Sequence, residues 1–369
     1  MKTKFANRFD IIQLIGGGSF GQIYNGIDMK TGEEVAMKIE PVVNNTRSIQ
    51  LCNEAKIYRI LDGALGFPKL KEFATDEGLN ALVMEILGDS LYSLFKKSNF
   101  KFSLKTVLMI AEQLISRVQF LHSKGIIHND IKPGNLITGI GKNSNIIYLI
   151  DFGLATKFRG FYNNQHIDYS DGHKFFGTPE FASINSYKGV ARSRRDDLES
   201  IAYILIYFLT GSLPWEKVAS CSPNLSEQEI STQILKVKEN TNFKELCQNI
   251  PEEFLQFLLS VKALEFNEEP DYNMYKSMFR KLFIKKGYVF DEKYDWTIDS
   301  AFALFQHRNK NRNQKQLQKN KASALSARPP MIGFTASSPM LKMIFKKKPP
   351  ERAPSISKEK VRLRFSFNH

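Results

Sequence analysis

The sequence is poor in cysteine, has no long apolar run and, over most of its length, carries no excess charge of either sign. Its three cysteines, Cys52, Cys221 and Cys247, are widely scattered along 369 residues, which gives neither a disulfide framework nor the close spacing of a zinc site. A reducing compartment is the expectation. The longest apolar run, from Ile201 to Leu209, is far too short to span a bilayer and reads as a buried helix. Residues 1–10 are basic and contain no apolar stretch of the signal-peptide kind, so the expected location is cytoplasmic, nuclear or both.

The net charge of +14 is concentrated at one end. From His307 to His369 there are 16 Lys/Arg and 2 Asp/Glu, which leaves 36 of each sign and no net charge in residues 1–306. A neutral globular part joined to a cationic end differs from a uniformly basic nucleic-acid-binding fold. Beyond about residue 305 the composition turns to Asn, Gln, Lys and Arg, then to Pro, Ser and Met with a Lys346-Lys347-Lys348-Pro349-Pro350 run. Few aromatics, high charge and repeated proline predict a disordered basic tail over 307–369. Such a tail is either a solvated, expendable extension or a contact for an acidic partner, nucleic acid or an anionic membrane surface. Binding led by the tail would weaken steeply with salt and survive in the isolated segment.

The chain is organised around the stretch from Ile126 to Gly153. Two short apolar runs, Leu136 to Thr138 and Ile146 to Ile150, flank a turn containing Gly, Asn and Ser, the pattern of a hairpin presenting a site. One flank offers Asp130, Lys132 and Asn135 and the other Asp151 followed by Phe-Gly. Carboxylate and amide oxygens with a lysine among them suit Mg²⁺, a triphosphate and a hydroxyl to be aimed at it.

This pattern resembles the catalytic loop and D-F-G motif of protein kinases. The resemblance implies that Asp130 accepts the substrate hydroxyl proton, Lys132 neutralises charge on the transferred phosphoryl group, and Asn135 and Asp151 hold the metal. Lysine two residues after the Asp is similar to serine/threonine kinases. Asn129 stands where arginine is usual, which argues against switching by a phosphorylated activation loop.

Upstream, Phe9 to Ile15 and Gln22 to Ile27 read as strands around Gly16-Gly17-Gly18-Ser19-Phe20-Gly21. A G-x-G-x-x-G string alone is weak, since dinucleotide-binding folds place it before a helix. Here strand-like residues follow it, as in a kinase phosphate lid, and the bare backbone at Gly16, Gly18 and Gly21 can approach phosphate oxygens closely. Lys38 interrupts an apolar strand, so it either points to water or is a buried cation with an anionic partner. By similarity it binds the α- and β-phosphates of ATP and pairs with Glu54 on a helix over 49–61. The resemblance makes the segment after strand residues 81–84 a hinge for adenine, with Met84, Glu85 and Leu87. It also brings Ile15, Ser19, Phe20, Ile23, Ala36 and Leu136 to the nucleotide. Residues 103–124 repeat apolar positions at helical spacing with Ser103 as N-cap.

Further features resemble the casein kinase 1 family over about residues 5–298. Ser183-Ile184-Asn185 occupies the place of the usual A-P-E, and Ser193-Arg194-Arg195-Asp196-Asp197-Leu198-Glu199-Ser200 follows it. Ile57-Tyr58, the run from Phe102 to Leu108, Gly211-Ser212-Leu213-Pro214-Trp215 and Pro270-Asp271-Tyr272 agree. The implied fold is α+β: a two-lobed eukaryotic protein-kinase fold with a small β-rich N-lobe (about 5–86) and a large helical C-lobe (about 89–298). The implied partners are protein substrates with acidic Ser/Thr sites, ATP and Mg²⁺, and the expected state is a monomer. Asp197 is expected to hydrogen-bond the catalytic-loop backbone. Glu180 stands where the family usually has an arginine for a substrate phosphate, and a carboxylate there repels phosphate. Weak preference for phospho-primed substrates follows, unless Arg194, Arg195 and Lys188 form a substitute anion site. The competing reading is a catalytically silent pseudokinase scaffold, suggested by Asn129 and the missing A-P-E.

Overall fold

A computed structural model describes residues 4–18, 21–42, 46–160, 165–218 and 225–297. The expected basic tail, like Cys221, Ser19 and Phe20, lies outside them. Alternating apolar residues in the first 85 positions build an antiparallel sheet. Its strands are β1 (Lys4–Phe5), β2 (Phe9–Gly18), β3 (Gly21–Asp28), β4 (Glu33–Pro41), β5 (Leu70–Asp76) and β6 (Leu79–Glu85), in the order β1-β2-β3-β4-β6-β5. One face buries Phe5, Phe9, Val35, Met37, Ala81 and Val83 in a small core of their own.

Helix α1 (Thr46–Leu61) crosses the sheet's other face and inserts Leu51, Ala55, Tyr58 and Leu61 into the main core. The expected pairing of β2 with β3 is present, with Gly18 opposite Gly21 at the tip. Gly21 has φ +125°, and a Cβ there would approach Glu40 to 2.8 Å, so the turn admits only glycine.

Beyond Glu85 the chain is mainly helical. Helices α2 (Leu91–Lys97), α3 (Leu104–Ser123), α4 (Ile184–Tyr187), α5 (Arg194–Thr210), α6 (Glu227–Asn240), α7 (Phe243–Leu246), α8 (Glu252–Lys262) and α9 (Tyr272–Lys285) surround the main core. Ser103 caps α3 as its sequence signals: its hydroxyl accepts from the Thr106 amide at 3.2 Å. The same hydroxyl donates to Asp295 at 2.7 Å, fastening the helix start to the last described turn. Ser226 and Pro251 likewise open α6 and α8.

The apolar run from Ile201 to Phe208 lies within α5 and is buried throughout. A helix apolar on every side belongs in the middle of a core, and α5 packs on both α3 and α8. Its left-handed end at Gly211 (φ +87°) closes with the Gly211 amide on the Tyr207 carbonyl. Among the described residues no helix is long and apolar enough to cross a membrane. Cys247 is buried and its thiol is pushed up to about 11 by that burial.

The hairpin expected around the turn at 139–145 is present as β8 (Leu136–Thr138) paired antiparallel with β9 (Ile147–Leu149). It follows β7 (Ile126–Ile127), the loop 128–132 and a 3₁₀ turn at Pro133–Asn135. The chain beyond β9 returns as β10 (Thr156–Lys157) to pair with β7. This small framework presents the polar residues of 128–135 and Asp151 side by side.

Candidate active site

A cleft of about 700 Å³ is lined from one side by the sheet and α1 and from the other by residues around the β8–β9 hairpin. Ile15, Gly16, Gly21, Ile23, Ala36, Lys38, Glu54, Met84, Glu85, Leu87, Lys132, Asn135 and Asp151 all line it. Leu136 does not. It is wholly buried in the core, and its neighbour Ile137 lines the cleft instead, because successive strand residues face opposite ways. Gly17 also lines the wall.

Lys38 is 6% exposed, and its ammonium lies 2.8 Å from Glu54 Oε2 and 3.0 Å from Asp151 Oδ1. Burial alone would depress it, but the two carboxylates outweigh that effect and hold it above the usual lysine range. Burial pushes Glu54 up to about 7 against the pull of Lys38. Asp151 is opposed by burial as well, yet Lys38 keeps it below the usual carboxylate range. Asp151 is therefore the firmly ionised partner, and Glu54 is the one that takes up a proton first as pH falls.

Asp151 has a left-handed backbone (φ +68°), uncommon for a residue with a side chain. Its amide donates to the Tyr58 hydroxyl at 3.1 Å, and Phe152 packs edge-on against the Tyr58 ring with centroids 5.0 Å apart. Helix α1 thus holds the Asp-Phe-Gly turn through Tyr58 while presenting Glu54 to Lys38.

Asp130 is 5% exposed and enclosed by donors. Thr178 Oγ1 donates to its Oδ1 at 2.6 Å, and Lys132 Nζ lies 2.8 Å from its Oδ2. Lys132 also donates to Thr178 at 2.9 Å. The Asn135 amide nitrogen donates to the Asp130 carbonyl at 2.9 Å, which leaves its oxygen as the metal-type donor atom. Thr178 was given no role by the sequence pattern, because 48 positions separate it from Asp130.

The loop carrying Asp130 is fixed from below. Asp197, fully buried at the start of α5, accepts from the backbone amides of His128 at 2.8 Å and Asn129 at 2.9 Å, as expected, and from His122 Nε2 at 2.9 Å. Burial opposes its charge, but these donors hold the carboxyl below its ordinary range. Burial in turn lowers the His122 pKa, keeping the ring neutral. His128 adds a second brace: its Nδ1 accepts from the Asp130 amide at 3.2 Å and its Nε2 donates to the Ile150 carbonyl at 3.0 Å.

Asn129, in the position where arginine is usual, has φ +69°. Its side-chain amide donates to the Leu154 carbonyl at 2.8 Å and to Thr156 at 3.0 Å, tying the catalytic loop to the segment after Asp-Phe-Gly. Farther along, the Ala191 amide donates to Ser170, the His173 amide to Gly189, and Arg192 to Phe176. Phe175 stacks on Tyr187 with centroids 4.3 Å apart. Gly177, at φ +106°, leaves no room for a Cβ against the Asn129 carbonyl 2.9 Å away.

The residues proposed as a substitute anion site are engaged elsewhere. Arg194 donates to the Asn267 carbonyl at 2.6 Å, Arg195 to that of Leu264 at 2.9 Å, and Lys188 pairs with Glu239 at 2.9 Å.

The protein kinase domain model matches residues 9–271 of the chain. With that match over most of its length, the chain belongs to the protein kinase family and contains a kinase domain of β-rich N-terminal and helical C-terminal regions.

Asp197→Ala leaves two buried backbone amides and His122 without their acceptor. It is expected to lower stability by about 3 kcal/mol or more in denaturant unfolding, and a loss below about 1 kcal/mol would contradict the anchoring role.

Proposed function

We propose that this chain is a serine/threonine protein kinase of casein kinase 1 type that transfers the γ-phosphoryl group of Mg-ATP to protein hydroxyls. The observation that carries the reading is the convergence of Lys38, Glu54, Lys132, Asn135 and Asp151 on the wall of one cleft, with Asp130 directly behind it in contact with Lys132 and Asn135. A lysine buried between two carboxylates costs desolvation, and charged groups held at such a cost in a cleft are concentrated at functional sites.

In this reading the apolar wall of Ile15, Ile23, Ala36, Met84, Leu87 and Ile137 takes the base, and Lys38 takes phosphate oxygens. The donor set fits a magnesium ion. Asn135 and Asp151 supply hard oxygen ligands on the cleft wall, and no cluster of three His, Cys, Asp or Glu side chains competes among the described residues. Mg²⁺ needs only one or two carboxylates beside phosphate oxygens, and when bound it supplies charge neutralisation across those phosphates. Asp130 orients the acceptor hydroxyl and receives its proton. Lys132 lies against the carboxylate where it offsets negative charge on the group in transit. Thr178, bonded to both, sets the distance between them.

Substitution of the base tests the reading. With Mg-ATP and casein, Asp130→Ala is expected to lose about 10²-fold or more in turnover relative to wild type while still binding ATP. Equal background from the two proteins would instead favour the scaffold reading.

Glu180 and the engagement of Arg194, Arg195 and Lys188 favour acceptor sites that need no prior phosphate. A peptide with phosphoserine before its acceptor is expected to show no advantage in kcat/KM over its unphosphorylated form. A large advantage for the primed peptide would contradict this.

A further inference from the structure

Helix α6 contributes a lysine that the proposed transfer does not use directly. Lys238 is 0% exposed, an unusual position for an ammonium group. Its Nζ donates to the carbonyl of Pro179 at 3.0 Å and to that of Ala182 at 2.5 Å. The rings of Tyr187, Tyr203 and Trp215 surround it at 5.1, 4.9 and 4.9 Å from their centroids. Aromatic faces attract a cation and partly replace the water it has lost.

The same segment is held from other sides. Trp215 Nε1 donates to the Glu180 carbonyl at 2.7 Å, and the Tyr187 hydroxyl to that of Pro179 at 2.9 Å. The amides of Phe181 and Ala182 donate to the Thr178 carbonyl. Thr178 in turn touches both Asp130 and Lys132. A continuous path of short contacts thus runs from a buried ammonium on α6 to the carboxylate proposed as the base.

We propose that Lys238 is a positioning residue for the acceptor side of the site: by gathering the Pro179 and Ala182 carbonyls it fixes the loop 178–182, and through Thr178 the orientation of Asp130 toward the incoming hydroxyl. The inference rests on the kinase reading and deepens it, because it separates the acceptor half of the cleft from the nucleotide half. Lys238 touches neither Lys38, Glu54 nor Asp151, so its removal should impair acceptor use and leave nucleotide binding alone. A misplacement of about 1 Å at a reacting group can cost about 10²-fold.

The ammonium's environment also makes the effect pH-dependent. Burial lowers Lys238 to about 7, against the carboxylates of Glu199 on α5 and Glu180 on the loop and with the charge of Lys262 on α8. Tyr187 on α4 and Tyr203 on α5 also face it, and burial raises both, so they stay neutral in the working range. A group whose folded pKa is lowered in this way is charged below that value and loses its proton as pH rises through it. The neutral amine keeps two N–H donors for the two carbonyls but loses the attraction of the three rings, so the loop is held more tightly on the acid side.

The experiment compares wild type with Lys238→Met and Lys238→Arg, measuring kcat and KM separately for ATP and for an acceptor peptide from pH 6 to 9. Lys238→Met is expected to lose about tenfold or more in kcat/KM for the peptide with less than about twofold change in ATP affinity, and Lys238→Arg to recover part of the loss. In wild type, kcat/KM for the peptide should fall as pH rises above about 7 while KM for ATP stays level. Parallel losses for ATP and peptide, or a wild-type peptide profile flat across that range, would overturn the proposal; the second needs no variant to fold. Amide exchange at Phe181 and Ala182 gives an answer independent of turnover. Faster exchange there in Lys238→Met, with α1 unchanged, is expected even if wild type and Asp130→Ala prove equally inactive and the kinase reading fails. Unchanged exchange would overturn the role of Lys238 by itself.

Discussion

The site depends first on one buried carboxylate. Asp197 sits at the start of α5, the most enclosed helix of the large region, and receives N–H donors from His122 and from two successive residues of the catalytic loop. Consecutive amides pointing at one acceptor require a sharp backbone turn, and Asn129 supplies it by entering the left-handed region. Asparagine tolerates that conformation better than most residues with side chains. The turn brings Asp130 against Thr178 and Lys132 and lets the Asn129 side chain grip the segment beyond Asp-Phe-Gly. A helix buried on all sides is a rigid place to anchor the loop that carries Asp130.

The second constraint joins the sheet and α1 to the Asp-Phe-Gly turn. Lys38 on β4, Glu54 on α1 and Asp151 beyond β9 meet at one ammonium, so three elements must be correctly placed at once for any of the charges to be compensated. Tyr58 supports the same geometry through the Asp151 amide and the Phe152 ring. Breaking a buried pair on one side leaves an uncompensated charge, at a cost of about 3–5 kcal/mol. The Asp-Phe-Gly turn and α1 are thereby favoured in this one arrangement. The described parts of the segment from Thr156 to Ala182 are fastened by backbone pairs, the Phe175–Tyr187 stack and Lys238. All of these contacts belong to the protein's own groups.

Much of this arrangement was legible in the order of residues. Lys38 inside an apolar strand, Asp130-Ile131-Lys132-Pro133-Gly134-Asn135 and Asp151-Phe152-Gly153 are local strings, and local strings carry their chemistry with them. Helices with clear caps, such as the one beginning at Ser103, were also readable, as was the buried helix signalled by residues 201–209. What escaped were partners brought together from afar. Thr178, His128 and Tyr58 acquire their roles only when remote segments meet. Lys238 lies in an amphipathic helix, where a lysine ordinarily marks the solvated face, and only the positions of three aromatic rings and two carbonyls reveal that this one points inward. Leu136 faces the core, and the residue on the cleft is its neighbour Ile137. In a three-residue strand nothing in the pattern says which of two neighbouring apolar side chains faces the core and which faces the cleft.

The site is held together by the protein's own hydrogen bonds and ion pairs, and the proposed function takes it to transfer phosphate without prior modification. The most direct measurement is the progress curve of protein freed of all phosphate, verified by intact mass, on addition of Mg-ATP and an acceptor substrate. The account predicts product formation that is linear from the start, at a rate unchanged by preincubation with Mg-ATP. A lag that shortens as the enzyme becomes phosphorylated would contradict it.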